Sequence, residues 1–390
     1  MSSTASAPLD DVLVIDLSRA LAGPHAAMML GDLGARVIKV EAPGTGDESR
    51  GWGPPFVGPA DEPVSTYFLS CNRNKESVTA DLKSAEGVEF LTRLVVRADV
   101  LIENFRPGVM DRLGFSAERL HELNPRLVIL SISGFGHDGP WGGRPGYDQI
   151  AQGEAGLMSL TGPDPESPTR IGVPIGDLLA GMNGAYGALS ALYERGRTGL
   201  GKVVRTSLLA SIVGVHAYQG TRYTVAGEVA RATGNHHPSI APYGLFRCEG
   251  GAIQAAVAND ALWVRFAGIV GLDAEDPRFD GNARRVAHRE DLWEAVEKAL
   301  AERPAAHWLK LLAAAGVPAG EVRTLDQVYD CPQTRSQGLV IEVDHPSLGP
   351  IELPGPAIRF DGTVPRGHTA PPRLGEHDDS VRRWLDIQDS

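Results

Sequence analysis

An aspartate at the start of a helical pattern is the first candidate for chemistry in this chain. Asp177 follows Gly176, and apolar residues then recur at three- and four-residue spacing until the run ends at Arg195-Gly196. An Asp in this place often caps the helix by accepting hydrogen bonds from first-turn N–H groups, which contributes typically about 1 kcal/mol. The same carboxylate would act as a nucleophile if the helix end stabilised its charge and the glycine kept its approach open. Asp177 alone does not distinguish these two interpretations, so the other motifs of the sequence are needed.

A strand, a helix and a second strand follow one another between Val12 and Glu41, as in a dinucleotide-binding unit. Glu41 even ends the second strand, where such units place an acidic residue for the ribose. The turn from Asp16 to Gly23, however, lacks the three glycines that let a backbone approach a pyrophosphate. We therefore do not expect a nicotinamide cofactor.

Two other motifs match a phosphate loop or a metal site only in part. The run from Gly196 to Lys202 has the spacing of a phosphate-binding loop, but Val203 stands where Ser or Thr is required and the segment follows a helix. His236 and His237 are adjacent, so their side chains point apart on an extended chain, and no matched acid or His spacing accompanies them. We expect no metal site, and we expect the His236-His237 pair to line a pocket or to pack.

The composition restricts the classes of function. The 390 residues carry a formal charge of −12, so we expect neither a nucleic-acid surface nor an anionic-membrane surface, and a phosphate-bearing ligand must meet a local basic patch. Hydrophobic content of 42% and charged content of 22% are typical of a globular protein with two or three domains. No run of about 18 apolar residues occurs, and the segment from Met1 to Asp11 does not resemble a signal peptide. With only three scattered cysteines, the chain is predicted to be cytoplasmic.

Strand and helix patterns alternate along the first third of the chain, which predicts an α/β fold with a parallel sheet and helices on both faces. The predicted strands run from Val12 to Leu17, Arg36 to Glu41, Ser77 to Leu82, Val100 to Glu103 and Leu127 to Ser131. The predicted helices between them run from Pro24 to Leu33, Ala85 to Arg97 and Ala117 to Leu123.

A smaller α+β domain is predicted to follow. Its strands are expected from Tyr243 to Cys248 and from Ala252 to Ala256, and its helices from Ala261 to Val270, Arg289 to Ala301 and Ala305 to Ala315. We expect residues 1–217 to form the first part of a large α/β domain, residues 218–337 a linker with the small domain, and residues 338–390 a segment that returns to the large domain.

Several segments, in order along nearly the whole chain, resemble the family III (CaiB/BaiF-type) CoA-transferases. They are Asp16-Leu17-Ser18-Arg19-Ala20-Leu21-Ala22-Gly23-Pro24, Gly34-Ala35-Arg36-Val37-Ile38-Lys39-Val40-Glu41, Asn72-Arg73-Asn74-Lys75, Glu103-Asn104-Phe105-Arg106-Pro107-Gly108, Gly146-Tyr147-Asp148 and Gly176-Asp177. Scaffold segments such as Gly51-Trp52-Gly53-Pro54-Pro55 and Gly338-Leu339-Val340 are most similar to the dicarboxylate subgroup, the succinyl-CoA:glutarate CoA-transferases.

The resemblance implies that Asp177 is a covalent nucleophile. Its carboxylate would attack an acyl-CoA thioester to give a mixed anhydride, the CoA thiolate would return to give an aspartyl-CoA thioester, and an acceptor acid would open that thioester. Such a sequence divides one difficult acyl exchange into easier steps. It needs donors for developing oxyanions, for which the amides near Gly176 or from Ala256 to Asp260 are candidates.

The resemblance also implies which residues contact the substrates. No tightly bound cofactor is expected, since coenzyme A or acyl-CoA is a substrate. The residues at the family's CoA-binding positions are Arg19, Ala22, Asn72, Lys75, Asn104, Phe105 and Arg112. The candidates for the pocket of the acceptor acid are Tyr147, His137, His236 and Arg106.

Other functions remain to be weighed against this one. The α-methylacyl-CoA racemases share the fold, but they pair the Asp with a His at the position of Tyr147, and a Tyr with a pKa of about 10 is a poor proton shuttle near neutral pH. A non-catalytic CoA-binding module would bind CoA thioesters without turnover. Oxalate-handling relatives place Gln, Lys and Tyr where Leu21, Ser133 and Phe135 stand here, which disfavours oxalate as the acceptor.

The family resemblance finally implies an assembly. A Rossmann-like large domain would be built from both ends of the chain, and two subunits would thread through each other as an interlocked-ring homodimer. The linkers at 218–238 and 322–337 are the expected crossing arms.

Overall fold

The computed structural model describes residues 7–363 and 367–389. In chain order its strands are β1 (Leu13–Asp16), β2 (Arg36–Glu41), β3 (Phe56–Val57), β4 (Val64–Ser65), β5 (Lys75–Thr79), β6 (Val100–Glu103), β7 (Val128–Ser133), β8 (Val203–Ser207), β9 (Tyr243–Cys248), β10 (Gly251–Ala256), β11 (Ala319–Gly320), β12 (Val340–His345) and β13 (Gly349–Pro354).

The helices follow the same order, and a 3-10 turn lies at Glu48–Gly51. They are α1 (Ala22–Asp32), α2 (Thr66–Leu69), α3 (Ala85–Arg97), α4 (Val109–Arg112), α5 (Ala117–Leu123), α6 (Asp148–Glu154), α7 (Leu157–Leu160), α8 (Ile175–Thr198), α9 (Leu208–Gly214), α10 (Ala217–Ala226), α11 (Asp260–Val270), α12 (Asn282–Ala287), α13 (Arg289–Leu300), α14 (Ala305–Ala314), α15 (Leu325–Tyr329), α16 (Pro332–Ser336) and α17 (Asp378–Asp389).

A parallel sheet of order β5-β2-β1-β6-β7-β8 is the centre of the first unit. Its inner strands are buried along their length, as their continuous apolar sequences predict for a sheet covered on both faces. α1, α8 and α9 supply the core on one face, and α3, α5 and α17 supply the core on the other. The strand order reverses between β1 and β6, so a crevice forms beyond their carboxyl ends, where α/β proteins commonly bind ligands.

Small residues let α1 and α8 approach each other closely. A Cβ on Gly181 would lie 2.7 Å from the carbonyl oxygen of Ala22, the first residue of α1. The first half of α8, which carries Asp177, is therefore held against the start of α1. The N-terminus of α1 lies at the carboxyl edge of the sheet, because α1 directly follows β1. The N-terminal part of α8 packs against it and therefore lies at the same edge.

Contacts between Cα atoms divide the chain into two compact units. The first holds residues 7–157, 171–226 and 332–389 of the described chain, and the second holds 158–170 and 227–331. The sequence placed its boundaries after residues 217 and 337, whereas the contacts place them after residues 226 and 331. Nothing in the sequence suggested that 158–170 groups with the second unit.

The second unit has an antiparallel sheet of order β11-β10-β9. Helices α11, α13 and α14 pack on it around a core that includes Phe246, Trp263 and Phe266. Sequence periodicity predicted β9 and α11 to within a residue. An α+β arrangement is therefore present in this unit.

The predicted α/β class is confirmed, and several elements have the predicted bounds, among them β2, α3, β6 and α5. β8 was missed because Arg205 interrupts its apolar sequence and the strand lies at the sheet edge, where only its last residue is buried. None of the described helices combines the length and the apolar character needed to cross a membrane.

Candidate functional site

Asp177 is the third residue of α8 and does not cap the helix. Pro174 occupies the N-cap position, and no side chain makes a capping hydrogen bond there. Among the described residues, the Asp177 carboxylate has neither a hydrogen-bond partner nor an ion-pair partner. The capping interpretation is therefore wrong, and the carboxylate is left available for chemistry.

The surroundings of Asp177 disfavour its charge. The side chain is half-buried. Burial, with a smaller contribution from the neighbouring Asp148 carboxylate, raises the pKa of Asp177 to about 7. A carboxylate with so few partners is poorly solvated, and poor solvation makes it a better nucleophile once it is ionised.

A phenol lies within electrostatic range of this carboxylate. Burial raises the pKa of Tyr67, and the negative charge of Asp177 is the next largest cause. The Trp52 ring packs edge-on against Tyr67, with 4.8 Å between ring centroids. Tyr67 therefore stays protonated near neutral pH and can donate a hydrogen bond to an oxyanion or a carboxylate beside Asp177.

Three of the amides considered as oxyanion donors already have hydrogen-bond partners. The Gly176 N–H donates to Asp148 Oδ1 over 2.7 Å. In the second unit, the Ala256 N–H donates to Pro318 O and the Val257 N–H donates to Pro242 O. The Gly176 N–H is therefore not available to an oxyanion in this structure, because its hydrogen is already used.

A buried charge network shapes the loop between β1 and α1. Lys75 Nζ donates to Asp16 Oδ2 over 2.9 Å, and Lys39 Nζ lies 2.9 Å from Asp47 Oδ2. Lys39 also donates to the Ser18 carbonyl over 2.8 Å. Burial alone would raise the pKa of Asp16, but the two lysines lower it below its ordinary value. Buried ion pairs therefore hold the loop that follows β1 in place.

Two predicted CoA contacts belong to this scaffold. The Lys75 ammonium is buried and also donates to Asn72 Oδ1 and Pro24 O. The Asn72 amide is buried as well and donates to the Phe68 carbonyl over 2.9 Å. Neither side chain is exposed to a ligand, so in this structure they hold the loop and do not form a phosphate site.

Three other predicted CoA contacts are brought together at the crevice. The Arg19 N–H donates to Asn104 Oδ1, and Asn104 Nδ2 donates to the Arg19 carbonyl, both over 2.8 Å. The Arg19 guanidinium lies 5.1 Å from the centre of the Phe105 ring. This pair of hydrogen bonds joins the segments that follow β1 and β6 at the point where the strand order reverses.

Two of the predicted cations, Arg112 and Arg106, are exposed. Arg112 lies on α4, its side chain is exposed, and no hydrogen bond or ion pair engages that side chain among the described residues. Arg106 is exposed in the same manner. Ala22, the first residue of α1, is buried against α8.

His137 and Arg106 line a separate cavity of about 320 Å³ with Glu103 and Arg205, on the sheet face opposite α8. His137 Nε2 lies 2.6 Å from Ser131 Oγ, and that hydroxyl also donates to Glu103. Burial raises the pKa of Glu103, and burial lowers the pKa of His137. Asp177 does not line this cavity, so the structure does not bring His137 together with it.

The remaining pocket candidates lie apart from that cavity. Tyr147 precedes α6 and is 65% exposed, which leaves its hydroxyl free to meet a ligand. His236 belongs to the second unit, where its ring packs on Trp293 at 3.8 Å between centroids. Residue type and spacing did not single out Tyr67 or Trp52, because no periodicity or motif marks an aromatic pair that meets only in three dimensions.

Within the described ranges, no group of three or more His, Cys, Asp or Glu side chains is placed to hold a metal ion.

Comparisons with known proteins show which family this chain resembles. The model of CoA-transferase family III matches residues 9–378. The human succinyl-CoA:glutarate CoA-transferase is 39% identical over 373 residues, which cover 95% of this chain and 84% of that protein. The acetyl-CoA:oxalate CoA-transferase of Acetobacter aceti is 38% identical over 380 residues, which cover 96% of this chain and 95% of that protein. A CAIB/BAIF family protein from Brucella suis has a crystal structure that matches with a TM-score of 0.88 and 39% identity, covering 97% of this chain and 99% of that chain.

Proposed function

The chain belongs to CoA-transferase family III, and from this premise we propose that it moves CoA from an acyl-CoA thioester to a dicarboxylic acid through covalent intermediates on Asp177. One observation carries the proposal: the Asp177 carboxylate stands half-buried in the first turn of α8, caps nothing and has no partner among the described residues. A structural Asp would have used its oxygens on the helix N–H groups.

The exchange then proceeds in four balanced displacements. A carboxylate oxygen of Asp177 attacks the thioester carbonyl, the C–S bond breaks, and CoA leaves as the thiolate. The thiolate attacks the aspartyl carbonyl of the mixed anhydride and releases the donor acid, which leaves an aspartyl-CoA thioester. The acceptor carboxylate attacks that thioester and expels the thiolate again. The thiolate finally attacks the acyl carbon of the acceptor, and the Asp177 carboxylate is restored.

Tyr67 is suited to assist these displacements. Its phenol stays protonated and lies within electrostatic range of Asp177. Each tetrahedral intermediate places negative charge on an oxygen beside the aspartyl or acyl carbon, and a fixed O–H donor stabilises that charge. With the Gly176 amide already occupied, we assign Tyr67 this role.

Coenzyme A is expected in the crevice between the segments after β1 and β6. Arg19 and Arg112 supply exposed cations for its phosphates, and Asn104 and Phe105 border the path of the pantetheine arm. We expect the other three predicted contacts to act indirectly, because all three residues are buried around the loop that carries Arg19; they are Ala22, Asn72 and Lys75.

The acceptor acid is expected to be a dicarboxylate, in keeping with the names of the glutarate and oxalate relatives. Its distal carboxylate needs a cation or a strong donor, and of the predicted candidates we propose Tyr147. Arg106 and His137 line a cavity that Asp177 does not line, and His236 belongs to the second unit. Arg106 and His137 share one cavity, whereas Tyr147 is exposed beside α6.

A homodimer is part of the proposal. On α8, the exposed side chains of Met182, Tyr186 and Tyr193 form an apolar stripe at helical spacing, and Tyr186 and Tyr193 are each 74% exposed. Large aromatic side chains exposed along one helix face are typical of an interface. We propose that a second copy covers this stripe and that the two chains interlock. Light scattering that gives a monomer at micromolar concentration would contradict it.

Mass spectrometry of CoA products tests the function. The protein is incubated in D₂O with succinyl-CoA and a panel of acids that includes glutarate and oxalate, beside an Asp177→Asn control. New acyl-CoA species that are absent from the control would support the transferase and would name the acceptor. Deuterium at the α-carbon of an added 2-methylacyl-CoA, without acyl exchange in the panel, would replace the transferase with a racemase.

A further inference from the structure

We propose that Asp148 is a positioning residue for the nucleophile: together with Gln152 it fixes the segment that leads into Asp177 and places a second negative charge beside it. This inference rests on the proposed role of Asp177. It assigns a task to two residues of α6.

A continuous chain of hydrogen bonds carries the positioning. The Ile171 N–H donates to Gln152 Oε1 over 2.9 Å, Gln152 Nε2 donates to Asp148 Oδ2 over 2.7 Å, and the Gly176 N–H donates to Asp148 Oδ1 over 2.7 Å. This series of hydrogen bonds begins at Ile171, five residues before Gly176, and ends at Gly176, which directly precedes Asp177. The segment from Ile171 to the first turn of α8 is thus tied at both ends to one helix, α6.

The steric environment of Gly176 supports the same conclusion. A Cβ at this position would lie 3.1 Å from Asp148 Oδ1 and 3.0 Å from Ile212 Cδ1. The backbone of Gly176 is therefore held between a carboxylate and the apolar face of α9. A residue with a side chain would have to displace one of these neighbours, and Asp177 would move with it.

The charge of Asp148 acts on Asp177 as well as on the backbone. Two causes together raise the pKa of Asp177 to about 7. Burial is the larger of them, and the negative charge of Asp148 is the smaller. Because both oxygens of Asp148 accept hydrogen bonds, its charge is held in place. In this pair of carboxylates, Asp148 has a hydrogen-bond donor for each oxygen, whereas Asp177 has none among the described residues.

Few other charges face the nucleophile from the elements that pack on α8. On α1, burial lowers the pKa of His25 to about 4, so its ring is neutral, and Asp32 is paired with an arginine. On α6, Glu154 is also paired with an arginine. Arg205 on β8 lines the cavity of the opposite sheet face. Tyr67 on α2 is a neutral phenol, and the sequences of β7 and α9 hold no ionisable residue.

Two substitutions separate the hydrogen bonds from the charge. Asp148→Asn keeps an oxygen for the Gly176 N–H but removes the charge, and the new amide then opposes the Gln152 amide. Adding Gln152→Glu restores an acceptor both for that new amide and for the Ile171 N–H, while it moves the negative charge one helical turn along α6. Glu154→Gln is the matched control, because it removes a charge from the other end of the same helix.

The pH profile of transfer is the first readout. Asp148→Asn is expected to shift the acid limb of kcat/KM to lower pH by roughly half to one unit and to reduce kcat about tenfold. The double variant should recover most of the lost kcat and keep the shifted acid limb. Glu154→Gln should leave the limb where the parent has it. An acid limb that stays in place in Asp148→Asn, or a double variant with the kcat of the single one, would overturn the proposal.

A readout without catalysis separates this proposal from the proposed function. Unfolding midpoints are measured from pH 5 to pH 8.5 for the parent, Asp177→Asn, Asp148→Asn and the combination of both. Removing the Asp177 charge should raise the midpoint less when position 148 is already neutral, and an equal gain in both backgrounds would contradict the proposal. If the protein shows no CoA exchange but the gains still differ, the function fails while the coupling between the two carboxylates stands.

Discussion

The Gly176 N–H donates a hydrogen bond of 2.7 Å to the carboxylate of Asp148, so the residue directly before Asp177 is held by another acidic side chain. This bond explains how Asp177 stays free. The first turn of α8 has donors that an Asp would ordinarily accept from. Here one of them is taken by Asp148, and Asp177 has no partner among the described residues.

The rate of transfer should depend on the ionisation of Asp177. Because burial and Asp148 raise its pKa to about 7, the nucleophilic anion forms only as the pH rises through that value. We expect kcat/KM to rise about tenfold per pH unit below pH 6 and to level off above pH 8. Initial rates measured from pH 5 to pH 9 with one acyl-CoA and one acceptor check this. A flat profile across that interval would mean that Asp177 is ionised throughout.

The same shift has a consequence for stability. A carboxyl group whose folded-state pKa is raised contributes stability below its unfolded pKa of about 4, and that contribution is lost as the pH rises through about 7. Asp177→Asn should therefore unfold like the parent near pH 4. Above pH 7.5 it should be more stable by roughly 1–3 kcal/mol, a range that allows for the exposed fraction of the side chain.

Urea denaturation of both proteins at pH 4.5 and pH 8 measures that difference. A variant that is inactive yet more stable at pH 8 is the expected result, since a charge placed for chemistry is removed. An Asp177→Asn variant that is less stable than the parent at pH 8 would show that the carboxylate has a structural partner.

The contact between α1 and α8 should tolerate no added methyl group. In Gly181→Ala the new Cβ would lie 2.7 Å from the Ala22 carbonyl oxygen, so the helices must separate, at a cost of about 1–3 kcal/mol. Gly196 is the matched control, because it lies on the same helix with nothing within 4 Å of an added Cβ. Gly196→Ala should be neutral or stabilise by about 0.5–1 kcal/mol. Thermal unfolding of the two variants side by side decides the matter.

Lys75 and Arg112 were both predicted to contact CoA, and their variants should behave differently. Lys75→Met removes a buried partner of Asp16 and should destabilise the protein by about 3–5 kcal/mol. Arg112→Gln changes an exposed side chain, so it should leave stability unchanged and raise the KM for acyl-CoA about tenfold.

Denaturant midpoints and KM values for the same two proteins check this pair of outcomes. A stable Lys75→Met variant with a raised KM for acyl-CoA would instead show that Lys75 contacts CoA.

The contrast between Lys75 and Arg112 shows what the sequence can and cannot predict. Motif order identified both positions, and periodicity predicted β2, α3 and β6 with their observed bounds. Burial of a lysine side chain, however, depends on where Asp16 and Pro24 meet it in three dimensions. Tyr67 was missed for the same reason, since its electrostatic interaction with Asp177 joins segments about 110 residues apart. The edge strand β8 was missed because its one-sided burial leaves no continuous apolar run.

The most direct test of the account follows an oxygen atom. An acceptor dicarboxylate labelled with ¹⁸O in its carboxylates is incubated with the protein and succinyl-CoA, and the peptides that contain Asp177 are examined by mass spectrometry. In the third proposed displacement, the acceptor carboxylate forms an anhydride with Asp177, and the bridging oxygen of that anhydride comes from the acceptor. This oxygen stays on Asp177 when the thiolate attacks the acyl carbon of the acceptor. Asp177 should therefore gain ¹⁸O in the parent protein. Turnover that leaves Asp177 unlabelled would contradict the covalent role on which the account depends.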